Sequence, residues 1–403
     1  MRFGANYIPS KNWLYSWLDF DEESIKKDLQ TLKNLGFDHI RAHLLWSYFQ
    51  TNETAMSEHC LINLEKFAKI CDEVQIDFFL TLFTGWMSGF VFLPSWLNVG
   101  GFDIWRLGMF TDERAIEAEK LYIREIGKVV SKSKTFIGFD LGNELNCLTR
   151  PEIDPQISED AADKWSHIMF EECEKAAPGK MHSNGMAHAP WFGKTYFSRE
   201  VLSTDGVITP LHAWVPFTGT NSRYGWNSIE TYSLPNYMSE MAIAYAKDPN
   251  RQCWVQEFGM ADQWFKTEDE LKDFIFGTLK QCAAQKNMWG ITWWCSHDIS
   301  DKYTGFVDFE HNLGLIDVNN NPKPAGLFIK EFIDEYKKNG TTDHIKPTNA
   351  LIIKEGTGEE SDYTNAEVYM KYVKKGIYPA FVTPENAQNQ EYLKLRGITE
   401  IIQ

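Results

Sequence analysis

Phe136-Ile137-Gly138-Phe139-Asp140-Leu141, running into Gly142-Asn143-Glu144, is an apolar run of strand length that breaks at a glycine and delivers a carboxylate. It is one of eight such runs. The others are Phe3 to Ile8, His39 to Leu44, Phe78 to Phe83, Met181 to Asn184, Val207 to His212, Cys253 to Phe258 and Trp289 to Trp294. Between them lie stretches with helical spacing: Ile25, Leu29 and Leu32 share one face, and Ile62, Phe67, Ile70, Cys71 and Val74 line another. Thr267 with Glu270 reads as a capping box, Thr111 followed by Asp112 and Glu113 as a capped first turn, and Asn339-Gly340 as the stop of a last helix over 325 to 338. Eight strand-helix units in order predict an α/β chain folded as a (β/α)8 TIM barrel over residues 1–340. A doubly wound sheet is disfavoured, because no G-x-G-x-x-G follows the first run. The fifth unit is the least regular, with a short polar strand and a loop-like aromatic stretch from Ala187 to Arg199.

Two regions depart from the repeat. Thr84 to Phe110, rich in Trp, Phe and Gly, falls between the third run and its helix, where a barrel builds the mouth of its active site. Residues 346–403 carry their own pattern: apolar Ala350-Leu351-Ile352-Ile353, a polar loop, then a helix-like stretch from Thr364 to Lys375. They predict a small C-terminal α/β extension, read either as a cap on a neighbouring subunit's pocket or as a surface for homo-oligomer association.

With 15 Trp, 16 Tyr and 27 Phe in 403 residues, the chain has ample material for a large core. Its net charge of -16, with no Lys/Arg cluster, disfavours nucleic acid and anionic membrane surfaces and suits a neutral substrate. No apolar run approaches the roughly 20 residues of a membrane helix. The opening Met1-Arg2-Phe3-Gly4 leads directly into a strand with no signal-peptide pattern, so the expected location is cytoplasmic. Seven scattered cysteines without a C-x-x-C pair read as buried thiols rather than as a disulfide framework or a zinc site.

On a barrel, Glu144 and the Glu257 of Val255-Gln256-Glu257-Phe258-Gly259 both end strands and so face one catalytic mouth. Glycoside hydrolysis needs such a pair, one group to protonate the leaving oxygen and one to attack the anomeric carbon or activate water. A lone strand-end carboxylate is more often solvated or ion-paired, so the argument rests on the pair. Gly142 and Gly259 beside the two glutamates mark places of close backbone approach.

Over roughly residues 1 to 338 the chain resembles glycoside hydrolase family 5 of clan A, on strand-end residues that match in order: Arg41 in His39-Ile40-Arg41-Ala42-His43, Asn143-Glu144, His212, Glu257, and Trp294 in Ile291-Thr292-Trp293-Trp294. Leu313-Gly314-Leu315-Ile316-Asp317, then Pro322-Lys323-Pro324-Ala325, also resembles the family's entry into its last helix. The resemblance implies that Glu144 is the general acid/base and Glu257 the nucleophile, and that Asn143 bonds the sugar 2-hydroxyl. Glu144 should then be raised in pKa, and Glu257 held ionised by Arg41. Trp294 would offer its face to the sugar ring. Two positions depart from the family: His212-Ala213-Trp214 stands where it has His-x-Tyr, and the strand-three histidine has no match in Thr81-Leu82-Phe83-Thr84-Gly85-Trp86. Trp214 can donate to Glu257 as the tyrosine would, or form a pocket wall.

Gly4-Ala5-Asn6-Tyr7-Ile8-Pro9-Ser10 and the chain length resemble subfamily 18, which implies a β-mannosidase acting on mannosyl-β-1,4-N-acetylglucosamine, a neutral oligosaccharide. Trp86, Trp96 and Trp105 in the insertion would close one end of the cleft for exo action, and His297 and Asp298 would bind terminal hydroxyls. The alternatives are a β-glucosidase, an endo-β-mannanase or glucanase, and a noncatalytic carbohydrate-binding barrel, which would not need both glutamates. No cofactor or metal is expected, since no strand end carries the His-x-His of a metal-dependent barrel hydrolase. Full activity after exhaustive chelation is therefore expected; loss restored by a divalent cation would contradict it.

Overall fold

The structure, a computed structural model, describes residues 1–99, 107–340, 344–356 and 362–402. Nine strands precede residue 300: β1 (Arg2–Tyr7), β2 (His39–Leu45), β3 (Asp77–Thr84), β4 (Trp86–Met87), β5 (Phe90–Val91), β6 (Phe136–Gly142), β7 (Thr209–His212), β8 (Cys253–Phe258) and β9 (Met288–Trp293). Seven form one parallel sheet in the order β6-β3-β2-β1-β9-β8-β7, while β4 and β5 pair as a small hairpin. The fifth barrel position is filled by Met181–Asn184, which is no regular strand and makes one bridge, Asp140 to Ser183. Its backbone still bonds both neighbours. Met181 and Ser183 N–H donate to Ile137 and Phe139, Ser183 C=O accepts from Leu141, and His182 C=O accepts from Val207 just before β7. The ring is thereby closed through an irregular segment whose side chains are polar and spoken for: Ser183 bonds Asp140, and His182 bonds Ala177 C=O.

Each barrel strand is followed by a helix: Glu22–Asn34, Glu58–Val74, Glu113–Val130, Glu159–Ala176, Arg199–Thr204, Leu234–Tyr245, Glu268–Ala284 and Pro324–Asn339. The cap before Glu113 is Asp112, which accepts from Arg114 N–H, and not Thr111, whose hydroxyl bonds Asp154. Thr267 caps its helix as expected, but Glu270 reaches one residue further back, to Lys266 N–H. No helix among the described residues is long and apolar enough to cross a membrane. Six cysteines, Cys60, Cys71, Cys173, Cys253, Cys282 and Cys295, are buried thiols.

Inside the ring the side chains lie in layers. At the base, Phe79 stacks on Trp254 at 4.3 Å, and Trp254 and His39 both bond the Thr292 hydroxyl. Above them, Asn6, Arg41, Thr81 and Asp140 form a polar layer. Over that, a second apolar cluster including Trp13, Met87, Trp214 and Trp294 lines the mouth. The insertion supplies β4, β5 and a short turn of helix, Ser95–Leu97; Trp105 lies outside the described residues.

The extension is a three-stranded parallel sheet, β10 (Asn349–Ile352), β11 (Ala380–Val382) and β12 (Glu400–Ile402), in the order β11-β10-β12, with helices Thr364–Val373 and Gln390–Arg396. It explains an odd feature of the barrel. Leu-Pro-Asn-Tyr-Met-Ser-Glu-Met-Ala-Ile-Ala-Tyr, the helix after β7, has no polar face, and residues 234 to 244 are all buried. A helix apolar all round needs cover on its outer side. Tyr369 and Phe381 of the extension pack on Tyr237 at 5.7 Å each, and the helix's one charged residue, Glu240, meets Arg396 at 2.5 Å with both side chains 5% exposed. Removing one member of a buried pair leaves an uncompensated charge, at a cost of about 3–5 kcal/mol. Arg396→Leu should therefore lower the stability of the whole chain in one cooperative transition in urea; a separate early transition confined to the extension would contradict this.

Candidate active site

Glu144 follows the last residue of β6 and turns out of the strand with φ 48 and ψ 50, a left-handed conformation uncommon for a non-glycine residue. Two contacts hold it there. Leu145 N–H donates to Gly185 C=O, and Cys147 N–H to the Glu144 carbonyl at 2.7 Å. Gly142 permits the turn, since a Cβ there would lie 2.8 Å from the Phe83 carbonyl and 2.5 Å from Leu145. At Gly259 a Cβ would run into the Trp294 carbonyl, so glycine lets the end of β8 lie against the end of β9.

Glu257 is aimed by a bulge. Leu211 pairs with Val255, but the next residue of β7, His212, pairs with Glu257, so β8 holds two residues against one. The extra residue breaks the strict in-out alternation, and Gln256 and Glu257 both reach the same imidazole. His212 Nε2 lies 3.0 Å from Gln256 Oε1; its Nδ1 lies 3.0 Å from Glu144 Oε1 and 3.3 Å from Glu257 Oε2.

Arg41, fully buried, holds the floor of the site. Its Nε and Nη2 donate to Asp140 Oδ2 at 2.9 and 2.7 Å, Nη1 to Glu257 Oε1 at 2.8 Å and to Asn6 Oδ1 at 3.2 Å, and Nη2 also to Asn143 Oδ1 at 3.1 Å. The second Glu257 oxygen accepts from Trp214 Nε1–H at 3.0 Å, the donor role a tyrosine would fill. Asn143 Nδ2 gives one N–H to the Trp86 carbonyl at 3.0 Å, leaving its other N–H for a ligand. One oxygen each of Glu144 and Glu257 and one nitrogen of His212 all lie within 4.8 Å of one another. That set could ligate a cation, but both Glu257 oxygens already face donors, one of them a guanidinium.

Arg41, Asn143, Glu144, His212, Trp214, Glu257 and Trp294 are thus brought to one mouth, Trp294 with its ring 5.5 Å from His43. Trp86 touches the site through its carbonyl. Trp96 is turned away, bonding Gln50 C=O and packing on Trp46. Asp298 is not a partner of either glutamate; one oxygen takes Gly314 N–H and Lys323 Nζ, both at 2.9 Å. His297 is fully buried against Ser296 and Asp28 and is closed to a ligand. Sequence reading did not single out Gln256, His43 or Glu310. His43, two residues beyond Arg41 and so on the same face of β2, is buried with no partner on either ring nitrogen. The i, i+2 spacing was the available signal.

The electrostatics reverse an expectation. For Glu144, burial pushes the carboxyl up, but the hydrogen bond and charge of His212 outweigh it and hold the group below the usual carboxylate range. For Glu257, burial, opposed by His212 and reinforced by the Glu144 charge, holds it above. His212 is raised: burial lowers it, and the charges of Glu257 and Glu144 more than offset that. Geometry explains the reversal. Both His212 nitrogens face acceptors, so the site must hold one proton shared along the 3.0 Å line between His212 Nδ1 and Glu144 Oε1. In the empty site that proton rests on the imidazole, one transfer from Glu144. The Glu144 side chain is 20% exposed and that of Glu257 5%, so the group beside the shared proton is also the one water can reach.

No protein-family model and no curated protein sequence matches the chain; its relationships show among solved structures. A glycoside hydrolase family 5 subfamily 18 protein from Streptomyces cattleya, solved as a Glu-to-Ala variant in complex with Manβ1-4GlcNAc, superposes with a TM-score of 0.92 at 31% identity, covering 100% of this chain and 98% of that one. A subfamily 18 protein from Bifidobacterium longum subsp. longum gives 0.90 at 32% identity, covering 100% and 96%. An exo-β-1,4-mannosidase from Opitutaceae bacterium strain TAV5, at 21% identity and a TM-score of 0.78, shares the fold. The fold and the relationship together define a (β/α)8 glycoside hydrolase. The chain belongs to glycoside hydrolase family 5, subfamily 18.

Two titrations should bound activity. A catalytic Glu257 must be ionised, and because it is raised, kcat/KM should fall on acidification already above the ordinary carboxylate range. Loss of the proton shared by His212 and Glu144 should set the alkaline limb. His212→Asn leaves that proton to Glu144 alone, so the alkaline limb should move to lower pH and kcat/KM should fall on the order of 10²-fold. An unmoved limb would contradict the shared proton.

Proposed function

We propose that the chain is a retaining exo-β-mannosidase that releases mannose from short β-1,4-linked oligosaccharides such as Manβ1-4GlcNAc. The observation that carries this reading is the close approach of Glu144 and Glu257, with oxygens within 4.8 Å across one mouth. Retaining glycosidases space their carboxyl groups at about 5 to 5.5 Å, and inverting ones at about 6.5 to 9.5 Å to admit a water between them. The sugar is supported by subfamily 18 relatives at 31–32% identity that are solved with Manβ1-4GlcNAc.

In this reading Glu257 attacks the anomeric carbon and forms a glycosyl ester, while Glu144 gives its proton to the departing oxygen. That proton comes from His212 along their hydrogen bond, and His212 keeps its other contact, to Gln256. Arg41 and Trp214 fix both Glu257 oxygens, so the nucleophile cannot rotate away from the attack line. In the second half Glu144 takes a proton from water, and the ester is cleaved with the original configuration. The free N–H of Asn143 bonds the 2-hydroxyl, and Trp294 lies under the sugar ring.

Product analysis on Manβ1-4GlcNAc, with the anomer followed by NMR, should show β-mannose first; α-mannose would contradict retention. Glu257→Gln should lose turnover by at least about 10³-fold while still binding sugar. Glu144→Ala should lose about 10²- to 10⁴-fold on Manβ1-4GlcNAc, and least on aryl mannosides with good leaving groups. Near-normal activity in either variant would reject the assignment.

A further inference from the structure

The wall of the mouth that faces away from Glu144 is built from three separate loops. Trp13, after β1, meets Phe306, after β9, at 5.0 Å, and Phe306 meets Phe90 of β5 at 4.9 Å. A polar clasp joins the same loops: Ser88, at the tip of the β4–β5 hairpin, donates to Glu310 Oε2 at 3.1 Å. The other Glu310 oxygen has no hydrogen-bond partner among the described residues. Glu310 is half-buried, and its charge is felt by both Glu257 and Glu144.

The proposal rests on the reading that Glu144 and Glu257 flank the cleaved bond. Glu144 then stands on the leaving-group side, with the His188 charge beside it. The sugar being cleaved lies over Trp294 against Glu257, and its far edge points toward the closed wall. In a β-1,4-linked chain, that far edge carries O4, the atom through which a longer chain would continue. We propose that Glu310 is a specificity-determining residue that hydrogen-bonds the free O4 hydroxyl of the terminal sugar, so that the enzyme accepts chain ends and rejects sugars substituted there. Burial, reinforced by Glu257 and Glu144, pushes Glu310 up to about 7, so that near neutrality it can both accept from a hydroxyl and donate to one. Ser88 fixes its orientation without occupying both oxygens.

The test compares kcat/KM on 4-nitrophenyl β-mannoside, its 4-deoxy analogue and the mannoside extended at O4 by a second β-1,4-linked mannose. The wild type should prefer the free O4 hydroxyl over both others by on the order of 10- to 100-fold, the range for a hydrogen bond to an ionisable group. Glu310→Ala should reduce the preference over the 4-deoxy compound to within about threefold, mainly through KM. Glu310→Gln, which keeps the shape and one donor, should retain part of it. Ser88→Ala breaks only the clasp and should leave the preference standing. A wild type indifferent to O4, a Glu310→Ala variant with the wild-type preference, or a Ser88→Ala loss as complete as that of Glu310→Ala would each overturn the proposal. Failure of the hydrolase reading would look different, as absence of turnover of any β-glycoside.

Discussion

A single buried guanidinium organises this molecule. Arg41 has no exposure to solvent, and its donors reach residues of β1, β6 and β8 as well as Asn143. A charge buried this deeply is tolerable only when each donor finds an acceptor. Asp140 supplies the main countercharge, and its other contacts, to the Thr81 and Ser183 hydroxyls, extend the network to β3 and to the irregular fifth segment. The requirement that satisfies Arg41 is therefore the one that closes the ring and fixes Glu257.

The catalytic layer above it is an electrostatic arrangement of two carboxylates and one imidazole. Two carboxylates this close repel unless a positive group or a proton lies between them. His212 occupies that position, which is why the acid/base is lowered and the nucleophile raised in the empty site. An arriving sugar displaces water from the mouth and brings a leaving oxygen that needs a proton. The line from His212 to Glu144 supplies it without a long-range transfer.

Most of the barrel was legible because burial forces periodicity: seven strands follow apolar runs in the sequence, and helices follow amphipathic ones. The fifth segment was not legible as a non-strand, because its irregularity comes from His182 and Ser183 bonding other parts of the chain. The cover over the helix after β7 was written in that helix's missing polar face, and Glu240 marked where a partner must come. At the site, Arg41, Asn143, Glu144, His212, Glu257 and Trp294 were readable as strand ends. The bulge that turns both Gln256 and Glu257 to His212 was not, because it depends on the register with β7. Asp298 was misjudged for a related reason: Lys323, 25 residues away in sequence, takes the oxygen that looked free.

The central claim is that Glu257, gripped by Arg41 and Trp214, is the atom-bearing nucleophile of a two-step displacement. Mass spectrometry of the enzyme after reaction with a 2-deoxy-2-fluoro β-mannosyl fluoride tests it most directly, because the fluorine slows breakdown of the ester more than the fluoride leaving group slows its formation. The account predicts one added sugar per chain, attached to the peptide that carries Glu257. An unlabelled enzyme that still hydrolyses the fluoride, or a label on Glu144, would contradict it.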